Sequence, residues 1–222
     1  MKKELKIYIF RHGQSTFNKE KRFTGWLNPR LTELGIRQAR KVARKLNGKK
    51  FELSFCTSLK RSKQTLKEVL KDHSECSKII EDDRMKERNY GKLNGTSHSE
   101  FIRKIGKKLY KLEVEGDMIT DLEKKGRKEV EKFLGEQEYN LIHRGFYVSP
   151  PKGESFADVE KRVGSFIKDL MKLIKKEKVN VAISAHGNSI RLFRKIMEKA
   201  SVQETVKWTI PYDDYYEYKV EV

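Results

Sequence analysis

The sequence is poor in cysteine and proline and has no long apolar run. Its two cysteines, Cys56 and Cys76, form no CxxC pair. That argues against a disulfide framework or a thiolate zinc site and fits a reduced, cytoplasmic compartment. The opening MKKELKIYIF holds only four uninterrupted apolar residues before Arg11. No stretch approaches the roughly 20 residues needed to cross a bilayer, so a soluble protein without a membrane partner is expected. The HExxH, HxxEH and GxxxxGK[ST] patterns are missing as well, and no metal is expected. Hydrophobic residues reach only 36% against 37% charged, which predicts a densely ionic surface.

Positive charge is plentiful: 50 Lys and Arg against 32 Asp and Glu, a formal charge of +18. Such a balance suits an anionic partner, whether nucleic acid, an acidic membrane surface or a phosphorylated metabolite. The basic residues are spread along the chain with no nucleic-acid recognition motif, so a specific nucleic-acid partner is not expected. Much of the excess is Lys interleaved with Glu, as on solvated helix faces. At 222 residues, residues 1–222 read as a single domain with one insertion, large enough to bury roughly 70% of its unfolded surface.

Short apolar runs alternate with amphipathic ones. Leu5–Phe10, Phe51–Thr57 and Val179–Ala185 read as buried strands, Ile79-Ile80 as a weaker one, and Tyr215–Val220 as a last one. From Thr32 a helical face carries Leu34, Ala39, Val42, Ala43 and Leu46, closed by Asn47-Gly48. Further helices are predicted from Leu59 to Leu70, with Ser58 as cap, from Ser155 to Glu177, and from Ser189 to Lys199. The middle, about 97–140, is Lys/Glu-rich, opens on a capping-box pattern at Ser97 and Glu100, and reads as a helical insertion. Strand–helix alternation predicts an α/β fold with a mostly parallel sheet covered on both faces.

Two strands end directly in histidine: Phe10-Arg11-His12-Gly13 and Ala185-His186-Gly187. Ligands of open α/β sheets bind beyond the carboxyl ends of strands, so neighbouring strands would bring both imidazoles into one crevice. A lone histidine is ordinarily a satisfied structural residue. At a strand end before glycine, it stands where a ligand can approach the backbone. A neutral imidazole attacks phosphorus, and arginines match the charge on a transferring phosphoryl group. Arg11 and Arg61, the latter at the start of a helix, supply that charge; Glu87 could protonate a leaving oxygen.

Arg11-His12-Gly13-Gln14-Ser15 with Asn18 resembles the opening motif of the histidine phosphatase superfamily. Phe23-Thr24-Gly25-Trp26, Glu87-Arg88-Asn89-Tyr90-Gly91, His143-Arg144-Gly145-Phe146, and His186-Gly187-Asn188-Ser189 resemble its cofactor-dependent phosphoglycerate mutases in particular. The resemblance implies a three-layer α/β/α sandwich and a phosphohistidine at His12. It implies that Arg11, Arg61 and His186 hold the phosphoryl group and that Glu87 acts as acid and base. Ser15, Asn18, Thr24, Gly25, Tyr90, His98, His143, Arg144, Gly187 and Asn188 would bind a small phosphorylated substrate. The implied reaction interconverts 3-phosphoglycerate and 2-phosphoglycerate in glycolysis, primed by 2,3-bisphosphoglycerate; a homodimer is allowed but not required.

Departures limit the resemblance, and two of them, the short C-terminus and the PKGES junction, carry a second reading, a phosphatase of a small phosphorylated metabolite. Gln14 replaces a glutamate beside the nucleophile. His143 replaces one of two paired arginines, and His98 stands where a lysine is expected. Pro151-Lys152-Gly153-Glu154-Ser155 is a junction more like the phosphatase branch. Eleven residues follow Pro211, fewer than the covering tail of the mutases, so water is expected to compete for the phosphohistidine unless the helical middle covers it.

Overall fold

The computed structural model describes residues 4–221. The apolar runs become strands β1 (Glu4–Arg11), β2 (Leu53–Cys56), β3 (Lys78–Glu81), β4 (Val181–Ala185) and β5 (Tyr215–Glu221). They form one sheet in the order β3-β2-β4-β1-β5. Every neighbouring pair is parallel except β1 with β5. The helices are α1 (Thr16–Lys19), α2 (Glu33–Leu46), α3 (Lys60–Val69), α4 (His98–Glu115), α5 (Lys124–Arg144), α6 (Phe156–Glu177), α7 (Gly187–Glu198) and α8 (Val202–Lys207).

β1 is apolar at successive positions because both of its faces are covered. Ile7 and Ile9 pack into the cluster built by α6 and α7, while Tyr8 and Phe10 pack against α2 and α3. This is the expected three-layer α/β/α sandwich. The thickest part of its core is α6, which buries Phe156, Val159, Val163, Phe166, Ile167, Leu170 and Ile174. Each such side chain contributes roughly 1.5–3 kcal/mol relative to exposure. A reciprocal capping box between Ser155 and Asp158 fixes the start of the helix, satisfying amides that would otherwise lack partners.

The structure corrects several local expectations. Leu34 lies on the exposed side of α2, leaving the buried stripe to Gly35, Ala39, Val42, Ala43 and Leu46. Ser58 does not cap α3: Leu59 occupies that position without a side-chain bond, and the Ser58 amide instead donates to Asp83. α7 begins at Gly187, two residues before the expected Ser189. The insertion is a hairpin of α4 and α5 that runs past residue 140 to Arg144. A Cβ on Gly106 would stand 1.9 Å from the Glu131 carbonyl, and one on Gly135 2.1 Å from that of Ile102. The two helices therefore cross backbone against backbone. Their shared cluster of Phe23, Tyr90, Phe101 and Ile142 seats the hairpin over the carboxyl end of the sheet.

Candidate active site

β1 and β4 are adjacent and in register, with Arg11 opposite Ala185, so His12 and His186 leave the sheet side by side. Their ring centroids are 4.9 Å apart. His12 is only 1% exposed. Its Nδ1 lies 2.7 Å from the Gly13 carbonyl oxygen; only a protonated Nδ1 makes that a hydrogen bond, which leaves the Nε2 lone pair as the reactive one. Burial holds the imidazole well below its ordinary pKa, and Arg61 and Arg11 push it the same way. The neutral form is therefore favoured, and burial is the largest single cause.

Arg61 is fully buried in the first turn of α3 and spreads its fork over three acceptors. Nε reaches His12 Nε2 at 3.1 Å, Nη1 the Leu27 carbonyl at 2.7 Å, and Nη2 the Gly25 carbonyl at 2.8 Å. This contact places Nε beside the atom that would carry a phosphoryl group. Thr57 Oγ1 lies 2.8 Å from His186 Nε2. The other ring nitrogen, Nδ1, is buried. Arg11 Nε and Arg191 Nε are buried with no hydrogen-bond partner among the described residues. Buried donors are almost always paired, so the two orphaned guanidinium Nε atoms of cavity-lining arginines mark a place for an anion.

A cavity of about 180 Å³ opens onto His12. Arg11, Arg22, Arg61, Arg144 and Arg191 line it against a single carboxylate, Glu87. Five guanidinium groups against one carboxylate suit a compact ligand with more than one negative group. Glu87 Oε1 accepts the Arg88 amide at 2.8 Å and the Asn188 amide at 3.1 Å. The Asn188 side chain donates to the Tyr90 hydroxyl at 3.3 Å and accepts from Arg191. At the far end, burial and the neighbouring Arg144 push His143 down to about 3. His98 is lowered by burial and by Lys21. Tyr139 stacks on His143 at 5.1 Å, and its hydroxyl lies 3.0 Å from His98 Nδ1. A larger depression of about 810 Å³ between α4 and α5 is walled mainly by Lys and Arg.

The sequence profile of the histidine phosphatase superfamily (branch 1) matches residues 7–118 and 115–221. The chain belongs to that superfamily. It is 31% identical over 206 residues to the 2,3-bisphosphoglycerate-dependent phosphoglycerate mutase of Rhizobium meliloti, spanning 90% of this chain and 83% of that one. Against the enzyme of the same name from Pseudoalteromonas atlantica, identity is 25% over 204 residues, with 92% and 88% covered. Among solved structures, a mycobacterial glucosyl-3-phosphoglycerate phosphatase superposes with a TM-score of 0.68 at 19% identity, covering 97% and 90% of the two chains. The α-ribazole phosphatase of Shigella flexneri gives 0.69 at 18% identity, with 96% and 89% covered. At those identities the structural likeness speaks for the fold.

In this member of the histidine phosphatase superfamily, His12, Arg11, Arg61, Glu87, Asn18, Thr24, Tyr90, His98, His143, Arg144, Gly187 and Asn188 all line one cavity. Three other expected residues stand behind its walls. Ser15 caps α1 and bonds Asn18; Gly25 presents its carbonyl to Arg61; His186 backs His12. Gln14 points away: its side-chain oxygen accepts from the Thr32 hydroxyl at 3.0 Å, so the missing glutamate charge is not a change in the cavity wall. Sequence reasoning missed Arg22, Arg191, Thr209 and Ile210. Arg191 had a signal, since it lies one turn beyond His186 on a helix that starts at the site. Arg22 also had one, since it adjoins Phe23-Thr24-Gly25-Trp26; the 209–210 segment had none, because only tertiary folding brings it in. The hairpin is also more than an insertion. His98 opens α4 and His143-Arg144 close α5, so both of its ends furnish the far wall.

No helix among the described residues is long and apolar enough to cross a membrane.

Proposed function

We propose that the protein is a phosphoglycerate mutase, interconverting 3-phosphoglycerate and 2-phosphoglycerate through a phosphohistidine at His12. One observation carries the reading: a buried, neutral His12 with its Nε2 turned into a small cavity ringed by five arginines and one carboxylate. Relatives bearing that name at 25–31% identity support it. The orphaned donors of Arg11 and Arg191 fit the anionic groups of 2,3-bisphosphoglycerate, which would supply the priming phosphoryl group.

With His12 phosphorylated, Arg11, Arg61 and His186 hold the phosphoryl oxygens by charge-assisted hydrogen bonds. Arg144 and Arg191 hold the carboxylate of the incoming monophosphoglycerate. Glu87 removes the proton of the free hydroxyl as its oxygen attacks phosphorus. The new P–O bond forms, the P–N bond breaks, and its electron pair returns to His12 Nε2. In the reverse sense His12 Nε2 attacks the other phosphate, the P–O bond breaks, and Glu87 returns the proton to the leaving oxygen. The Nδ1 contact to Gly13 keeps the ring in the reactive tautomer. Positioning and electrostatics supply nearly all the catalysis in such a transfer.

The alternative is a phosphatase for a small phosphorylated metabolite. Neutral His98 and His143 favour it, because they weaken the grip on an acceptor carboxylate and leave water as competitor. The test supplies 3-phosphoglycerate with a trace of 2,3-bisphosphoglycerate and follows 2-phosphoglycerate and free phosphate separately. Isomer without phosphate supports the mutase; phosphate alone eliminates it.

A further inference from the structure

The segment Trp208–Asp214 crosses the mouth of the site between α8 and β5, tied down along its length. Arg191 donates to the Trp208 carbonyl at 2.7 Å, and the Arg194 guanidinium lies 4.0 Å over the Trp208 ring. Arg11 Nη1 donates to the Ile210 carbonyl at 2.9 Å. Lys41 pairs with Asp213 and Lys45 with Asp214, each at 2.7 Å. Within this strap, the Tyr212 ring lies 3.9 Å beneath the Arg11 guanidinium and meets the His12 ring edge-on at 6.4 Å.

The opposite face of Arg11 is closed as well. A Cβ built on Gly187 would stand 3.2 Å from Arg11 Cζ and 3.4 Å from Nε, tighter than ordinary packing allows. The guanidinium is thus held flat between the Gly187 backbone and an aromatic ring, with Nη1 engaged by Ile210. Only Nε is left buried and unpartnered. Cation–π stacking fixes the plane of a guanidinium without using any of its donors, so this arrangement leaves Nε free for an oxygen on the phosphorus.

We propose that Tyr212 is a positioning residue for phosphoryl transfer, which clamps Arg11 against Gly187 so that Nε stays directed at the phosphoryl group on His12. The proposal rests on the reading of His12 as the phosphoryl carrier, but not on which acceptor follows. The ring, not the hydroxyl, does the work. Its contribution should be that of a partly desolvated cation–π contact, roughly threefold to thirtyfold in affinity for a pentavalent phosphorus mimic.

The experiment measures orthovanadate inhibition and single-turnover phosphorylation in the full-length protein and in Tyr212→Phe, Tyr212→Leu, Arg11→Lys and the Tyr212→Leu/Arg11→Lys double variant. Tyr212→Phe should match the unaltered protein within about twofold. Tyr212→Leu, which keeps apolar bulk on the strap, should weaken vanadate and slow phosphorylation by the full factor. In the Arg11→Lys background it should do almost nothing further, because the clamped group is gone. Additive effects, or an equal loss in Tyr212→Phe and Tyr212→Leu, would overturn the proposal. If vanadate fails to inhibit the unaltered protein, the phosphoryl-site reading beneath the proposal is lost instead.

Discussion

Replacing Arg61 by alanine should abolish phosphoryl transfer while costing little stability, and the structure says why the two separate. The side chain is fully buried, and burial pushes its pKa down to about 10. That shift corresponds to about 3 kcal/mol of disfavour toward the charged form. Removing the guanidinium relieves this penalty but leaves the Gly25 and Leu27 carbonyls without their donors. Each unsatisfied acceptor costs about 1–3 kcal/mol. The two effects oppose each other, so the net loss of stability should fall at roughly 0–3 kcal/mol. Catalysis has no such offset. Arg61 Nε is 3.1 Å from His12 Nε2, and losing a preorganised donor at a transferring group costs about 10²–10³ in rate. Urea denaturation measures the first quantity; the phosphoenzyme formation rate and kcat measure the second. A rate within tenfold of the unaltered enzyme, or a stability loss above about 5 kcal/mol, would refute the reasoning.

Three further outcomes follow from other parts of the molecule. His12, His186 and His143 all have folded pKa values lowered chiefly by burial. Each stabilises the fold above the unfolded value near 6.5 and loses that contribution as pH falls. Between pH 6.5 and 5.5 the three together should remove up to about 3 kcal/mol, read as a falling urea midpoint; a flat midpoint across that interval contradicts the buried neutral assignment. His143→Arg restores a fixed cation at the far wall and should lower KM for 3-phosphoglycerate by about tenfold, the value of one charge-assisted hydrogen bond. An unchanged KM would detach that wall from the carboxylate. Gly106→Ala drives a methyl into the Glu131 carbonyl; the resulting overpacking should cost about 1–3 kcal/mol in thermal or urea unfolding and weaken substrate binding at His98 and Arg144.

Most of the scaffold was legible in the sequence, because β1, β2 and β4 are apolar runs and α2, α6 and α7 carry a 3.6-residue stripe. The same runs ended at His12 and His186, so their proximity followed once β1 and β4 were neighbours. Arg61 was legible from its place at the start of the predicted helix, and Glu87 only through its motif, since it lies in no periodic segment. What stayed hidden depends on tertiary closure. Tyr212 and Ile210 lie far from Arg11 in sequence, and no local pattern connects them to it. Ser58 was misassigned because capping propensity says nothing about the competing acceptor, Asp83, that draws its amide away. The helical pattern is weak around His143, yet α5 runs on to Arg144 and the hairpin's ends supply the far wall of the cavity.

The central claim is that His12 carries the phosphoryl group. The direct test is mass spectrometry of the protein, quenched in alkaline denaturant after brief exposure to 2,3-bisphosphoglycerate, with peptide mapping of the modified site at alkaline pH and a parallel acid-treated sample. The account predicts one acid-labile phosphoryl group on the peptide containing His12, absent from His12→Ala and turned over when 3-phosphoglycerate is added. A phosphoryl group on any other residue, or transfer activity that persists in His12→Ala, would contradict it.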